Sequence, residues 1–178
     1  MESEITATFI IFGGSGDLAR RKLYPALFNL FRKGLLREHF AVIGTARRPW
    51  SNDYFREIIT ESVMCTDYDP AQVKDFASHF FYQSHDVTDT KHYIELKKLA
   101  AQLDQEFQTG GNRIFYMAMS PKFFGTIATH LHDEDVLGTG FNRLIIEKPF
   151  GRDLASAEIL NKQINDSFAE EDVYRIDH

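Results

Sequence analysis

The chain has 178 residues, of which 43% are hydrophobic and 13% aromatic; that is enough to bury a substantial core, and the size fits one folding unit better than two. A net charge of −6 with 26% charged residues works against broad binding to nucleic acid or anionic membrane, so a phosphate-bearing partner needs a local basic site. No stretch approaches the ~18 consecutive apolar residues of a membrane span, the start Met1-Glu2-Ser3-Glu4 lacks the basic segment of a signal peptide, and a single cysteine, Cys65, excludes an internal disulfide; the expectation is a cytoplasmic chain.

Thr6–Phe12 (TATFIIF) reads as a first strand by its β-branched and aromatic content. Gly13-Gly14-Ser15-Gly16 follows, and Leu18–Lys33 then places Leu23, Leu27, Leu30 and Phe31 at helical spacing, with Gly34 where a C-terminal glycine would stop the helix. Phe40–Gly44 is a second strand, ending in Thr45-Ala46-Arg47-Arg48. Helical patterns over Asp53–Ser62 and Ala71–Ala77 lead to a third strand, Phe80–Gln83. Thr88–Phe107 is a long helix, Gln105–Asn112 a polar loop around Gly110-Gly111, and Ile114–Met119 (IFYMAM) a fourth strand. Pro121 suits the first turn of a helix over Pro121–Leu131, since its missing N–H costs nothing there. Leu144–Ile146 is a fifth strand, Asp153 an N-cap for a helix over Leu154–Phe168, and Val173–Ile176 a sixth strand. There is no internal repeat and no low-complexity segment.

Strands alternating with helices predict an α/β fold: a doubly wound, mainly parallel six-stranded Rossmann-type sheet with helices on both faces, spanning residues 1–178 as one dinucleotide-binding domain. Ligands of such sheets collect beyond the carboxyl ends of the strands. The expected edge therefore holds Gly13–Gly16, Thr45–Arg48, Ser84–Asp86, Ser120-Pro121, Glu147–Pro149 and Asp177-His178.

Gly14-Ser15-Gly16-Asp17-Leu18-Ala19 matches G-x-G-x-x-G/A, directly after a strand and opening an amphipathic helix. Pyrophosphate can approach a backbone closely only where no Cβ intervenes, and a helix N-terminus favours anions. A carboxylate at the second strand tip would bind the ribose diol of NAD; this chain has Arg47 there instead, a multi-donor cation suited to a 2′-phosphate, with Arg48 able to assist. NADP is the preferred coenzyme on this pattern, with NAD as a weaker alternative.

GGSGDLA with Arg20-Arg21-Lys22 and Leu23-Tyr24-Pro25, then GTAR, NRIFYMA, NRLIIEKPFG and the terminal RIDH, resembles the glucose-6-phosphate dehydrogenase family, in that family's order and over essentially the whole chain. The resemblance implies oxidation of glucose 6-phosphate at C1 with hydride transfer to NADP, in a homo-oligomeric full-length enzyme. It implies coenzyme contacts at Gly13, Gly14, Ser15, Gly16, Asp17, Leu18, Ala19 and Arg20, with Arg47 as the 2′-phosphate ligand. Asp86 and Val87 would approach the adenosine, and Met117 and Ala118 the middle of the cofactor. Lys148 would touch both substrate and cofactor, His178 would bind the sugar phosphate, and Asp177 would orient a catalytic histidine. That histidine, in the family, lies beyond RIDH in an α+β substrate domain absent from this chain, so the fragment alone is expected to be inactive. EKP also occurs in sugar oxidoreductases of the Gfo/Idh/MocA type, which leaves that class open, as it leaves a noncatalytic nucleotide-binding module.

The run His130-Leu131-His132-Asp133-Glu134-Asp135 is no metal site by its spacing, because histidines two apart do not share a helix face. His39, His79, His85 and His92 read as structural or surface groups, and Tyr24, Phe28, Phe123 and Phe124 as packing residues.

Overall fold

In the computed structural model, which describes residues 3–64, 68–147 and 153–176, strand β1 (Ala7–Phe12) is buried along its whole length. Side chains alternate across a strand, so Ile10 and Phe12 enter one core while Phe9 and Ile11 enter a second. A strand apolar on both faces belongs inside a covered sheet. β1 sits there, flanked by β2 (Phe40–Ala46) and β4 (Arg113–Met117), with β3 (Phe80–Ser84) outside β2, and β5 (Asn142–Glu147) and β6 (Val173–Ile176) outside β4. All five pairings are parallel. The order β3-β2-β1-β4-β5-β6 is that of the expected doubly wound sheet.

Helices α1 (Tyr24–Arg32), α2 (Asn52–Val63) and α3 (Pro70–Ala77) cover one face through Tyr24, Phe28, Phe55, Ile59, Val73 and Phe76. Helices α4 (Thr90–Phe107), α5 (Phe124–Asp133) and α6 (Leu154–Ser167) cover the other through Tyr93, Leu96, Ile127, Leu131, Leu160 and Ile164. Side-chain caps start four of them: Ser51, Asp69, Asp89 and Asp153 each accept a backbone N–H of the first turn.

Several elements depart from their expected form or bounds. The single helix over Leu18–Lys33 is a π-helical turn, Ala19–Leu23, followed by α1; the Tyr24 N–H reaches back to the Ala19 carbonyl. Pro25 is the cause, because a proline ring inside a regular helix collides with the carbonyl four residues earlier, and a widened turn relieves this. Gly34 ends the helix as expected, with φ +80°. Pro121 opens a 3-10 turn, Pro121–Phe123, ahead of α5. The fourth strand ends at Met117, two residues early, where the Ala118 N–H turns to the Phe12 carbonyl at 2.8 Å.

The amino edge of the sheet is tied by a buried charge network. Asp104 of α4 accepts from Thr8 Oγ1 at 2.8 Å, Thr109 Oγ1 at 2.6 Å and Arg113 Nη2 at 2.7 Å. Arg113, whose side chain is 6% exposed, also donates to the Val136 carbonyl.

Candidate coenzyme site at the carboxyl edge

Chain order runs outward from β1 through β2 to β3, then returns across the sheet through α4 to β4. The direction of winding reverses between β1 and β4, and the carboxyl ends of these two strands frame the crevice in which such sheets bind ligands. Gly13 stands there with φ +90°, and a Cβ on it would overlap the Ala118 carbonyl. A Cβ on Gly14 would lie 2.9 Å from Gly44 Cα and 3.0 Å from the Tyr24 hydroxyl. The glycines are thus required by packing against β2 and β4.

Their N–H groups point inward. Gly13 and Gly14 both donate to the Thr45 carbonyl at 2.9 Å, and Gly16 donates to the Gly13 carbonyl at 3.0 Å. Among the described residues, no acceptor is found for the N–H groups of Ser15, Asp17 and Leu18, which open the helical turn. Open N–H groups at the start of a helical turn are favourable to an anion, and the bonds of the glycines leave those of Ser15, Asp17 and Leu18 open. Ala19 is fully buried and supplies the close contact between helix and strand. Asp17 is exposed and pairs with Arg21 at 2.9 Å.

Two residues fix this loop: Tyr24, read from the sequence as packing, and Thr45, read there only as a residue of the strand tip. The Tyr24 hydroxyl, fully buried, donates to the Gly14 carbonyl at 2.6 Å, and burial pushes its ionisation far above the ordinary tyrosine range. Thr45 donates its own hydroxyl to the Ile11 carbonyl at 3.2 Å. The signal for Tyr24 was available, since a tyrosine at a core position needs a partner for its hydroxyl. Nothing in the sequence marks the Thr45 carbonyl.

Arg47 and Arg48 are exposed on the loop after β2. That loop is held by Tyr82, whose hydroxyl lies 2.6 Å from the Arg48 carbonyl and 3.1 Å from that of Ala46; burial pushes the Tyr82 phenol up to about 12. Tyr82 also packs on Trp50, ring centroids 5.3 Å apart. At the tip of β3, the Thr88 N–H and hydroxyl donate to Asp86 Oδ1 at 2.9 and 2.7 Å. These bonds hold the Asp86 carboxyl below the usual carboxylate range, with the Arg47 charge adding to them. Val87 is buried, and its carbonyl accepts from the Tyr93 hydroxyl at 2.7 Å. Met117 is 1% exposed and its side chain belongs to the core beneath α4 and α5, so only its backbone can face the crevice; Ala118, beside Gly13, is the nearer element.

Behind this edge His85 is buried, between Phe12 and Tyr93 at ring distances of 5.7 and 4.6 Å. Burial pulls its pKa down to about 4. His92 Nδ1 accepts the Asp86 N–H at 2.7 Å, and His130 stacks on Tyr93 at 4.6 Å. His132 is exposed beside Asp133. Between β4 and β5 the Tyr116 hydroxyl contacts Glu147 Oε1. Lys148, Asp177 and His178 lie outside the described residues, as do Pro149 and Cys65.

A parallel sheet in this order, with a glycine loop at the reversal point and unfilled N–H groups at the following helix, defines a dinucleotide-binding domain. The family model described as glucose-6-phosphate dehydrogenase, NAD binding domain, matches residues 10–178. The chain belongs to that family. It is 53% identical to a glucose-6-phosphate 1-dehydrogenase of Streptococcus pneumoniae, covering 100% of this chain and 36% of that protein. It is 46% identical to one from Leuconostoc mesenteroides, covering 100% of this chain and 37% of the other. A solved glucose-6-phosphate dehydrogenase in complex with its substrate glucose-6-phosphate superposes with a TM-score of 0.88 at 34% identity, over 100% of this chain and 38% of that one. The chain therefore spans about a third of the length of the relatives it matches. No helix among the described residues is long and apolar enough to cross a membrane.

Proposed function

We propose that residues 1–178 are the coenzyme-binding domain of an NADP-preferring glucose-6-phosphate dehydrogenase, which oxidises glucose 6-phosphate at C1 to the lactone. The carrying observation is the glycine loop at the reversal point: its three glycine N–H groups are used internally, while those of Ser15, Asp17 and Leu18 are left for an anion. These groups fit a dinucleotide pyrophosphate, and the nicotinamide, when bound, accepts hydride from the sugar C1. Arg47 is the ligand of the 2′-phosphate, supported by its exposure at the β2 tip and by the lack of a carboxylate among Thr45-Ala46-Arg47-Arg48.

The sugar side rests on the family resemblance: Lys148 touches sugar and coenzyme, His178 holds the sugar phosphate, and Asp177 orients the histidine that takes the C1 hydroxyl proton. A carboxylate behind such a base favours it as the imidazolium forms. Family membership favours this reading over another EKP-type sugar oxidoreductase. A cytoplasmic, homo-oligomeric full-length enzyme is part of the same proposal and rests on the family resemblance.

Calorimetric titration of the chain with NADP and NAD tests the reading. Binding of both, NADP more tightly, is expected, and Arg47→Ala should weaken NADP about tenfold or more, by loss of a charge-assisted bond, while leaving NAD nearly unchanged. Absence of binding to either coenzyme at millimolar concentration refutes the coenzyme assignment, and equal losses on Arg47→Ala remove Arg47 from the 2′-phosphate.

A further inference from the structure

Arg20 follows the glycine motif directly, in the π-helical turn, and its N–H donates to the Gly16 carbonyl at 3.2 Å. Its guanidinium carbon lies 5.5 Å from the centre of the Trp50 ring. Trp50 lies three positions after Arg47 on the segment between β2 and α2. The guanidinium is thereby carried from the start of the first helix to the tip of the second strand. Its Nε is sealed from solvent and has no hydrogen-bond partner. A guanidinium carries five donors, and leaving one buried and unfilled is costly enough that such a group calls for an explanation. The nearby acid does not supply one, because Asp17 pairs with Arg21 instead, at 2.9 Å.

Trp50 is itself held rigidly. It packs against Tyr54, Tyr82 and Phe55 at centroid distances of 5.1, 5.3 and 6.4 Å, and Tyr82 is the residue that clamps the Arg48 carbonyl. One aromatic cluster therefore fixes both the loop that carries Arg47 and the surface over which Arg20 lies. A cation over an indole face is attracted to it and loses side-chain freedom before any ligand arrives.

We infer that Arg20, positioned by Trp50, is the second cation of the 2′-phosphate subsite, meeting the phosphate from the helix side while Arg47 meets it from the strand tip. This rests on the coenzyme reading and deepens it, by assigning the choice of NADP over NAD to a residue in the glycine-loop helix as well as to the strand tip. The ligand chemistry is a phosphate monoester on an adenosine ribose. The pyrophosphate is the other anion of the coenzyme; the contact of the guanidinium with Trp50, on the segment after the second strand, favours the 2′-phosphate as its partner.

Adenosine 2′,5′-bisphosphate and 5′-AMP isolate the subsite, since they differ only in the 2′-phosphate. Trp50 is the sole tryptophan of the chain, so its fluorescence reports the site directly. For the unaltered chain, the bisphosphate is expected to bind more tightly than AMP and to change Trp50 emission. Arg20→Ala should weaken the bisphosphate about tenfold or more, alter AMP binding by less than about twofold, and abolish the emission change. Arg20→Lys, which keeps the charge and the helical turn, should retain part of the preference. Trp50→Leu, read by calorimetry, should weaken the bisphosphate about three- to tenfold with AMP unaffected. Equal loss of both nucleotides in Arg20→Ala, or loss of neither, overturns the assignment. If the unaltered chain binds neither nucleotide nor NADP, the coenzyme reading falls with it. If Arg47→Ala erases the preference while Arg20→Ala leaves it intact, only the role of Arg20 falls.

Discussion

Gly13→Ala tests the account of the loop most severely. The backbone of Gly13 has φ +90° and a Cβ there overlaps the Ala118 carbonyl. Holding an alanine in that conformation costs about 1–3 kcal/mol. Relieving the overlap means moving β1 and β4 apart where the Ala118 N–H bonds Phe12 at 2.8 Å, an overpacking cost of about 1–3 kcal/mol. Together these predict a loss of about 2–6 kcal/mol. For a chain of this size that is a fall in Tm of at least about 4 °C, readable by circular dichroism and urea titration. Gly16→Ala is the internal control: its Cβ would meet only the Gly13 carbonyl at 3.3 Å and its φ is not in the positive range, so its cost should stay within about 1 kcal/mol. If Gly13→Ala melts with the unaltered chain, or is the milder of the two, the packing explanation of the glycine pattern is wrong.

Tyr24→Phe leaves the Gly14 carbonyl without its donor at 2.6 Å; a loss of about 1–2 kcal/mol is expected, together with a few-fold weaker NADP, and a chain unchanged in both would show that the hydroxyl does not steady the loop. Asp104→Ala strands the buried Arg113 guanidinium and should cost about 3–5 kcal/mol in urea titration, with Arg113→Met added to it recovering part of the loss; a double variant as unstable as the sum of the singles counts against the pairing. His85 predicts a pH dependence. Its folded pKa, about 4, lies below the unfolded value, so between about pH 6.5 and 4 the unfolded chain binds more protons. Stability contributed by neutral His85 is complete above about pH 6.5 and falls by about 3 kcal/mol as pH drops to 4. Urea titrations of the unaltered chain and His85→Gln at pH 7 and pH 4 measure it, and parallel losses in the two chains would refute it.

Sheet and helices were legible because each face of this fold demands a pattern. Phe9, Ile10, Ile11 and Phe12 are apolar in succession because both sides of β1 are covered, and α4 shows Tyr93, Leu96, Ala100 and Leu103 at helical spacing because one side packs. The ends were less legible. Asn142 and Arg143 belong to β5, yet polar residues at a strand entrance look like loop. Pro25 accompanies a widened turn in a helix whose periodicity runs straight through it, since hydrophobic spacing is blind to the missing N–H. The glycine loop was legible as a motif, but the direction of its N–H groups was not. That direction depends on the Thr45 carbonyl, about thirty positions downstream and adjacent only through the pairing of Phe12 with Thr45. Arg20 and Trp50, similarly distant in sequence, meet only because the turn after Ala19 and the loop after β2 share an edge.

The inward bonds of Gly13 and Gly14 to Thr45 make the glycine loop a continuation of the sheet's own hydrogen bonding. An anion seated on the loop, as proposed, would meet donors that the sheet already holds in place, and little of its affinity would go to ordering that segment.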